Sequence, residues 1–168
     1  ASNRSIKDLQ KIEAYLNNVK RTGKCIVLKI SDYNTTGLPG SDKKIKTPWA
    51  NLVRISGNNA KRAGSGGSFG IGKYAPFVFS NIRALIYSTK DELGNIAVQG
   101  KTILSGHQGD GNYRTPNGYY GRPGTYIIDG CEHEDSKPFF DAFDIPDVLI
   151  RKEIGTSIFV LCASLPIE

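Results

Sequence analysis

The run GSGGSFGIGKY, Gly64 to Tyr74, decides how the rest of the sequence is read. Counted from Gly67, it fits Gly-x-x-x-x-Gly-Lys, the opening of the phosphate-binding P-loop. That pattern continues with Ser or Thr, whose hydroxyl holds Mg²⁺, and here Tyr74 stands in its place. No plain strand stands directly before Gly67. A P-loop nucleoside triphosphatase is therefore disfavoured. What remains is a glycine-rich loop leading into KYAPFVFS, a helix with Pro76 in its first turn, where a missing N–H costs least.

Upstream, Ile6, Leu9, Ile12, Leu16 and Val19 recur every three or four positions. That period predicts an amphipathic helix over Ser5 to Val19, capped by Ser5 and ended by Thr22-Gly23. CIVLKIS, Cys25 to Ser31, is short, β-branched and apolar, as a buried strand is, which leaves Asp32 at its C-terminal edge. Thr47-Pro48 has the form of an N-cap followed by proline at the first helical position, opening a short helix from Trp49 to about Ile55.

Downstream, Ile82 to Thr89 and Ile96 to Ser105 are two strand patterns joined by the polar turn KDELGN, hence a hairpin. Gly106 to Gly124 has no sustained period and is expected to be a long loop. TYIID is a short strand, Pro146 to Arg151 a short helix, and Ser157 to Ser164 a last apolar strand. The expectation is one α+β domain over residues 1–168, a two-layer sandwich whose mixed, mostly antiparallel sheet is covered on one face by helices.

Composition narrows the classes. At 168 residues, the chain is long enough to bury roughly two-thirds of its unfolded surface. No apolar run approaches the ~20 residues that span a bilayer, and Ala1 to Asp8 lacks the apolar core of a signal peptide. Three cysteines do not make a disulfide framework. Cys25 and Cys162 lie in apolar runs, where a thiol acts as a small hydrophobe, so a cytoplasmic protein is expected and no membrane partner. The net charge of +6 suits an acidic partner such as nucleotide phosphate or nucleic acid.

Four features stand in a fixed order: ISDYNTTGL after a strand, GSGGSFGIGK before a helix, IYST in the next strand, and GTSIFVL opening the last one. Together, over about Cys25 to Leu161, they resemble the GHKL ATPase superfamily of gyrase B, heat-shock chaperones, histidine kinases and MutL. Within it the boxes are most like those of bacterial ATP-binding members. The resemblance implies a Bergerat-type ATP-binding fold, with ATP and Mg²⁺ as cofactors.

In that family an aspartate leaving a strand accepts a hydrogen bond from the adenine amino group, and Asp32 matches it. A carboxylate only accepts, adenine offers a donor at N6, and guanine would present an acceptor there. The alternative is a strand-end turn in which Asp32 and Asn34 bond nearby amides. The family's first box is usually Asp-x-Gly-x-Gly. Here Asn34 takes the first glycine position and Gly37 comes one residue late, although Asn tolerates the left-handed backbone. Gly67, Phe69, Gly70 and Gly72 match the Gly-x-Phe-Gly-x-Gly lid of the chaperone-like members, with Ser68 inside it. Lys73 is placed to add a charge on phosphate, and Thr156 resembles the family threonine whose hydroxyl helps hold the aspartate.

These ATPases also carry an earlier helix with a Glu that activates water and, four residues on, an Asn that helps hold Mg²⁺. Glu13 and Asn17 have that spacing. The family, however, sets a strand between that helix and the aspartate strand, and Val19 to Lys24 is too short for one. Residues 1–24 are therefore read as an inserted helix, with the catalytic Glu and the metal ligand expected upstream of Ala1. No catalytic or metal residue is assigned here, and an isolated chain is expected to hydrolyse ATP negligibly. Signals to other domains or a dimer partner would follow from ordering of the lid.

Other constellations carry less. Cys131, Glu132, His133 and Glu134, with His107 upstream, are metal-type ligands at a spacing that fits no common zinc pattern, so a solvated loop is expected. GNYRTPNGYYGRPGTY, Gly111 to Tyr126, interleaves aromatics with Arg114 and Arg122. It supports the alternative reading, a basic nucleic-acid-binding module without nucleotide chemistry.

Overall fold

The computed structural model describes residues 3–55, 71–109 and 111–164. Its first element, α1, covers Asn3–Thr22 and ends with Lys20 and Arg21 in the last turn, where cations suit the helix dipole. Gly23 closes it with φ +66° and an N–H to the Val19 carbonyl at 2.8 Å, a left-handed cap that glycine adopts at little cost. Ser5 is not the cap expected of it, since the backbone is already helical at Asn3. Ile12, Tyr15 and Val19 are half-buried, whereas Leu9 and Leu16 are exposed.

Five strands make the central sheet: β1 (Val27–Ser31), β2 (Ala84–Lys90), β3 (Ile96–Ile103), β6 (Asn117–Tyr120) and β9 (Gly155–Leu161), in the order β1-β9-β2-β3-β6. Every pairing is antiparallel. The expected hairpin is present as β2 and β3, with Asp91 organising the turn. Its carboxylate accepts from the N–H groups of Leu93 (3.0 Å) and Asn95 (2.8 Å).

Period two sorts the strands into faces. Leu85, Tyr87, Ala97 and Val160 point to one face and meet Trp49, Val53 and Phe77 from the helices α2 (Pro48–Val53) and α3 (Ala75–Val78). Thr47 caps α2 as the sequence predicts, its hydroxyl accepting from the Ala50 N–H at 3.1 Å. Burying side chains of this size stabilises by about 1.5 to 3 kcal/mol each, so α2, although six residues long, is held by packing rather than by its own propensity.

The opposite face has cover of its own, which the sequence reading omitted. Phe139 bridges Val98 through paired backbone bonds of 2.9 and 2.8 Å. Two short 3-10 turns follow, Ala142–Asp144 and Asp147–Leu149, and the second is what stands where a short helix was expected over Pro146 to Arg151. With Ile145, Pro146 and Leu149 they close over Ile86 and Val98, leaving a cavity of about 100 Å³. The architecture is thus α+β, an antiparallel five-stranded sheet with few helices.

Three other expectations are corrected. Gly106 to Gly124 is not a loop. It contains β4 (His107–Gly109), β5 (Asn112–Arg114) and β6, and runs into β7 (Arg122–Ile128), which pairs with β8 (Cys131–Lys137). These strands are held by ladder bonds and face solvent on much of their surface, so they lack the apolar alternation that identifies a strand in sequence. Cys131 to Glu134 accordingly form the exposed half of β8 rather than a loop. Cys25 is exposed, because the strand starts at Val27 and β1 is an edge of the sheet.

Among the described residues no helix is long and apolar enough to cross a membrane.

Candidate functional site

Asp32 and Thr156 continue the β1–β9 register, which runs from Val27 opposite Leu161 to Ser31 opposite Ser157. A regular antiparallel pair at this position exchanges two backbone bonds. Here only one forms, from the Asp32 N–H to the Thr156 carbonyl at 3.0 Å. The other is diverted, because the Thr156 N–H donates to Oδ1 of the Asp32 carboxylate instead. The Thr35 hydroxyl donates to the same oxygen at 3.2 Å. Oδ2 has no hydrogen-bond partner among the described residues, and Asp32 is exposed.

The main-chain carbonyl of Asp32, released from the ladder, is taken by Arg151. Arg151 is buried, 5% exposed, and spends its other donors on the Ser157 hydroxyl at 3.0 Å and the Glu153 carbonyl at 3.2 Å. The Tyr33 ring lies over its guanidinium, 4.5 Å away. Gly155 makes this crossing sterically feasible. At φ +135°, a Cβ would stand 2.6 Å from Asp32 Oδ1 and 2.8 Å from Arg151 Nη2.

The turn after Asp32 is built as its residue types allow. Asn34 adopts φ +58° and Gly37 φ +65°, and a Cβ on Gly37 would collide with the Lys90 carbonyl oxygen. Thr89, fully buried in β2, ties the turn to the sheet. Its hydroxyl accepts from the Leu38 N–H at 2.9 Å and donates to the Gly155 carbonyl at 3.1 Å. The Thr156 hydroxyl lies 3.4 Å from that of Thr89, so Thr156 holds the aspartate through its backbone N–H, with its hydroxyl turned to Thr89. On the same sheet face Ile30 is 44% exposed, which leaves apolar surface uncovered next to the carboxylate.

Asp32, Asn34, Gly37 and Thr156 are therefore brought together. Gly67, Ser68, Phe69 and Gly70 lie outside the described residues. Gly72 and Lys73 belong to a 3-10 turn, Ile71–Tyr74, that leads into α3, and the Lys73 side chain reaches the end of α2. There Lys73 Nζ donates to the carbonyls of Asn51, at 3.1 Å, and Ile55. A phosphate at Lys73 would compete with those carbonyls.

That end of α2 gathers further cations. Lys101 Nζ donates to the Val53 carbonyl at 2.6 Å, and the Tyr119 hydroxyl to the Arg54 carbonyl at 3.2 Å, satisfying carbonyls that a helix end leaves open. Burial, with Lys73 and Arg54 nearby, pushes the Lys101 ammonium down to about 8. The Arg54 guanidinium lies between the rings of Tyr119 and Tyr126, 4.7 and 4.8 Å from their centroids. It reaches Asp135 at 3.1 Å, Gln99 at 3.2 Å and the Ser136 carbonyl. Burial acts to raise the Asp135 carboxyl, but Lys44, the Ser136 N–H and Arg54 outweigh it and hold the group below its ordinary value. This cluster docks the β7–β8 hairpin.

Glu13 and Asn17 are both exposed on α1. Among the described residues no three His, Cys, Asp or Glu side chains converge as a metal site. A cleft of about 650 Å³ beside the Asp32 turn is lined by Asn34, Thr35, Lys90, Asp91, Lys152 and Ile154.

Thr89, Gly155 and Arg151 were not assigned a role from the sequence. Thr89 and Gly155 stand inside the IYST and GTSIFVL runs, which marked the right strands. Arg151 had no signal, since it acts through a contact across 119 positions of sequence. Compared with family models, curated proteins and solved structures, the chain matches none.

Proposed function

We propose that this chain is an ATP-binding domain of GHKL type, with the Bergerat arrangement of sheet and helices, in which Asp32 reads the adenine amino group. The observation that carries the reading is the Asp32 carboxylate: Oδ1 is fixed by Thr156 and Thr35, while Oδ2 has no hydrogen-bond partner among the described residues. A fixed acceptor at the rim of partly exposed apolar surface suits a flat base that presents one donor at its edge. The left-handed backbone at Asn34 supports the same reading, since Asn there adopts the conformation open to the glycine that the family's first box carries at that position.

The proposal assigns this chain binding rather than hydrolysis. Hydrolysis needs a general base and a Mg²⁺ ligand; carboxylates of Asp91, Glu92 and Glu153 line the cleft beside the Asp32 turn, Asp91 is spent on the hairpin turn, and the proposal assigns neither role to any of the three. Mg²⁺ would bring charge neutralisation at the phosphates, held by groups outside this set. The net charge serves either reading, and Arg122, one of the residues that suggested the nucleic-acid alternative, is paired with Asp144.

Calorimetric titration with a non-hydrolysable ATP analogue, its GTP counterpart and the Asp32→Asn variant tests the proposal. In the variant Oδ1 still accepts from Thr156, so folding is retained, but an amide donor replaces the acceptor. Affinity for the adenine nucleotide should fall by about 1 to 3 kcal/mol, roughly five- to 150-fold. Equal affinity of wild type and variant, or equal affinity for adenine and guanine nucleotides, rejects it.

A further inference from the structure

The cysteines take no part in the site above, yet the segments that carry two of them are bonded to each other, Ala163 to Ile26, and the Cys25 thiol adjoins that of Cys162. Cys25 is exposed in the link between α1 and β1, and Cys162 is buried just past the end of β9. The β1–β9 register ends at Val27 opposite Leu161. The next bond then runs from the Ala163 N–H to the Ile26 carbonyl, at 2.8 Å. One residue of slip has entered, and Cys162 is the extra residue, with the positive φ of +53° found in such bulges. Its carbonyl is gripped twice by Asn81, from the backbone N–H and from Nδ2, both at 3.0 Å.

The two partners differ in freedom. Cys162 is pinned at a sheet bulge, whereas Cys25 follows Gly23 and Lys24 in a link without regular structure. Burial and the adjoining Cys25 thiol together push the Cys162 thiol up to about 11. Cys131, on β8, belongs to a different sheet.

We propose that Cys25 and Cys162 are a paired modification site that closes to an intramolecular disulfide on reaction with a small disulfide of the glutathione disulfide class. The exposed Cys25 thiolate attacks one sulfur of the oxidant and releases one glutathione thiolate, giving a mixed disulfide. The Cys162 thiolate then attacks the Cys25 sulfur and releases the second. Two protein thiols are oxidised, one disulfide is reduced to two thiols, and the two protons lost end on the released glutathione. Because Cys162 must lose its proton first, the closing step gains about tenfold per pH unit up to its pKa. The product ties the α1–β1 link to the end of β9, at the far end of the same two strands from Asp32 and Thr156.

The test uses the full chain carrying Cys131→Ser, incubated with glutathione disulfide, quenched in acid, and read by intact mass and peptide mapping. The expected product is lighter than the reduced chain by about 2 Da, two hydrogens, with a Cys25–Cys162 linked peptide. Adding Cys162→Ser should arrest the reaction at a glutathione adduct on Cys25, and adding Cys25→Ser, at an exposed position, should abolish the lighter species. A stable adduct on Cys25 in the chain that retains Cys162, including at pH 9, overturns the proposal. So does a lighter species that survives Cys25→Ser.

Discussion

Arg151 stands where a strand partner would: its guanidinium donates to the main-chain carbonyl of Asp32, which the β1–β9 ladder leaves unpaired. The same side chain bonds the Ser157 hydroxyl at 3.0 Å, and Ser157 in turn meets Ser31 at 2.9 Å. The turn that carries the carboxylate is thus fixed from below by a buried cation. Arg151→Ala should destabilise the fold by about 2 to 4 kcal/mol, the range for losing hydrogen bonds to a buried charged group. Arg151→Lys, a point charge that cannot span the same partners, should recover only part of that. Urea unfolding monitored by Trp49 fluorescence reads both, as a shift in midpoint at constant slope. If Ala and Lys behave alike, the multidentate role assigned to Arg151 is wrong.

Gly155 gives a sharper steric test. Its φ of +135° is one that L side chains rarely adopt, and a Cβ would sit between Asp32 Oδ1 and Arg151 Nη2, at 2.6 and 2.8 Å. Gly155→Ala should therefore cost about 2 to 4 kcal/mol from backbone strain and the broken crossing. Gly94→Ala is the control. It also has a positive φ, +83°, but nothing lies within 4 Å of its Cβ, so only the conformational cost, about 1 to 2 kcal/mol, should remain. A smaller loss at Gly155 than at Gly94 would contradict the contact geometry.

Thr89 is the node between the two halves of the site. Its hydroxyl serves the Leu38 N–H and the Gly155 carbonyl, and the residue is 1% exposed. Thr89→Val keeps the shape and removes both bonds, leaving a buried donor and a buried acceptor unpaired. The expected loss is about 2 to 4 kcal/mol, against about 1 kcal/mol or less for Thr89→Ser, which restores the hydroxyl. Faster amide exchange at Leu38 in the Val variant alone would locate the effect.

How much of this was legible depended on whether a residue acts locally. The caps at Thr47 and Gly23 were readable, because each satisfies its own helix. The β2–β3 hairpin was readable from two apolar runs and a polar turn. Asp32 and Thr156 were readable only as members of an ordered set of motifs, and their pairing needed the register. The strands of residues 107–137 were hidden because main-chain ladders and the Arg54 cluster hold them, with polar side chains facing water. Cys25 was misplaced for a related reason, since an apolar run does not reveal that its strand lies at an edge.

Lys101 makes stability depend on alkaline pH in a way that can be worked out in sign. Its folded pKa is about 8 against an ordinary 10.5. Between those values the unfolded chain holds a proton that the folded chain has lost, so stability rises with pH, by at most about 1.4 kcal/mol per unit. Below pH 8 both states are protonated and the destabilisation is fully present. Cys162 works in the opposite sense. Its thiol is raised from 9.0 to about 11, so the unfolded chain loses that proton first and stability falls across the interval. Burial also raises Tyr119, from 10.0 to about 12, and Tyr87, which adds a further fall above pH 10. Under reducing conditions stability should therefore climb between pH 8 and 9, level off to pH 10, and decline beyond. Lys101→Met should remove the climb and keep the decline. Urea midpoints from pH 7 to 11 at constant ionic strength measure both, and a wild-type curve that is flat or falling between pH 8 and 9 would show that Lys101 is not carried into the fold as a destabilised cation.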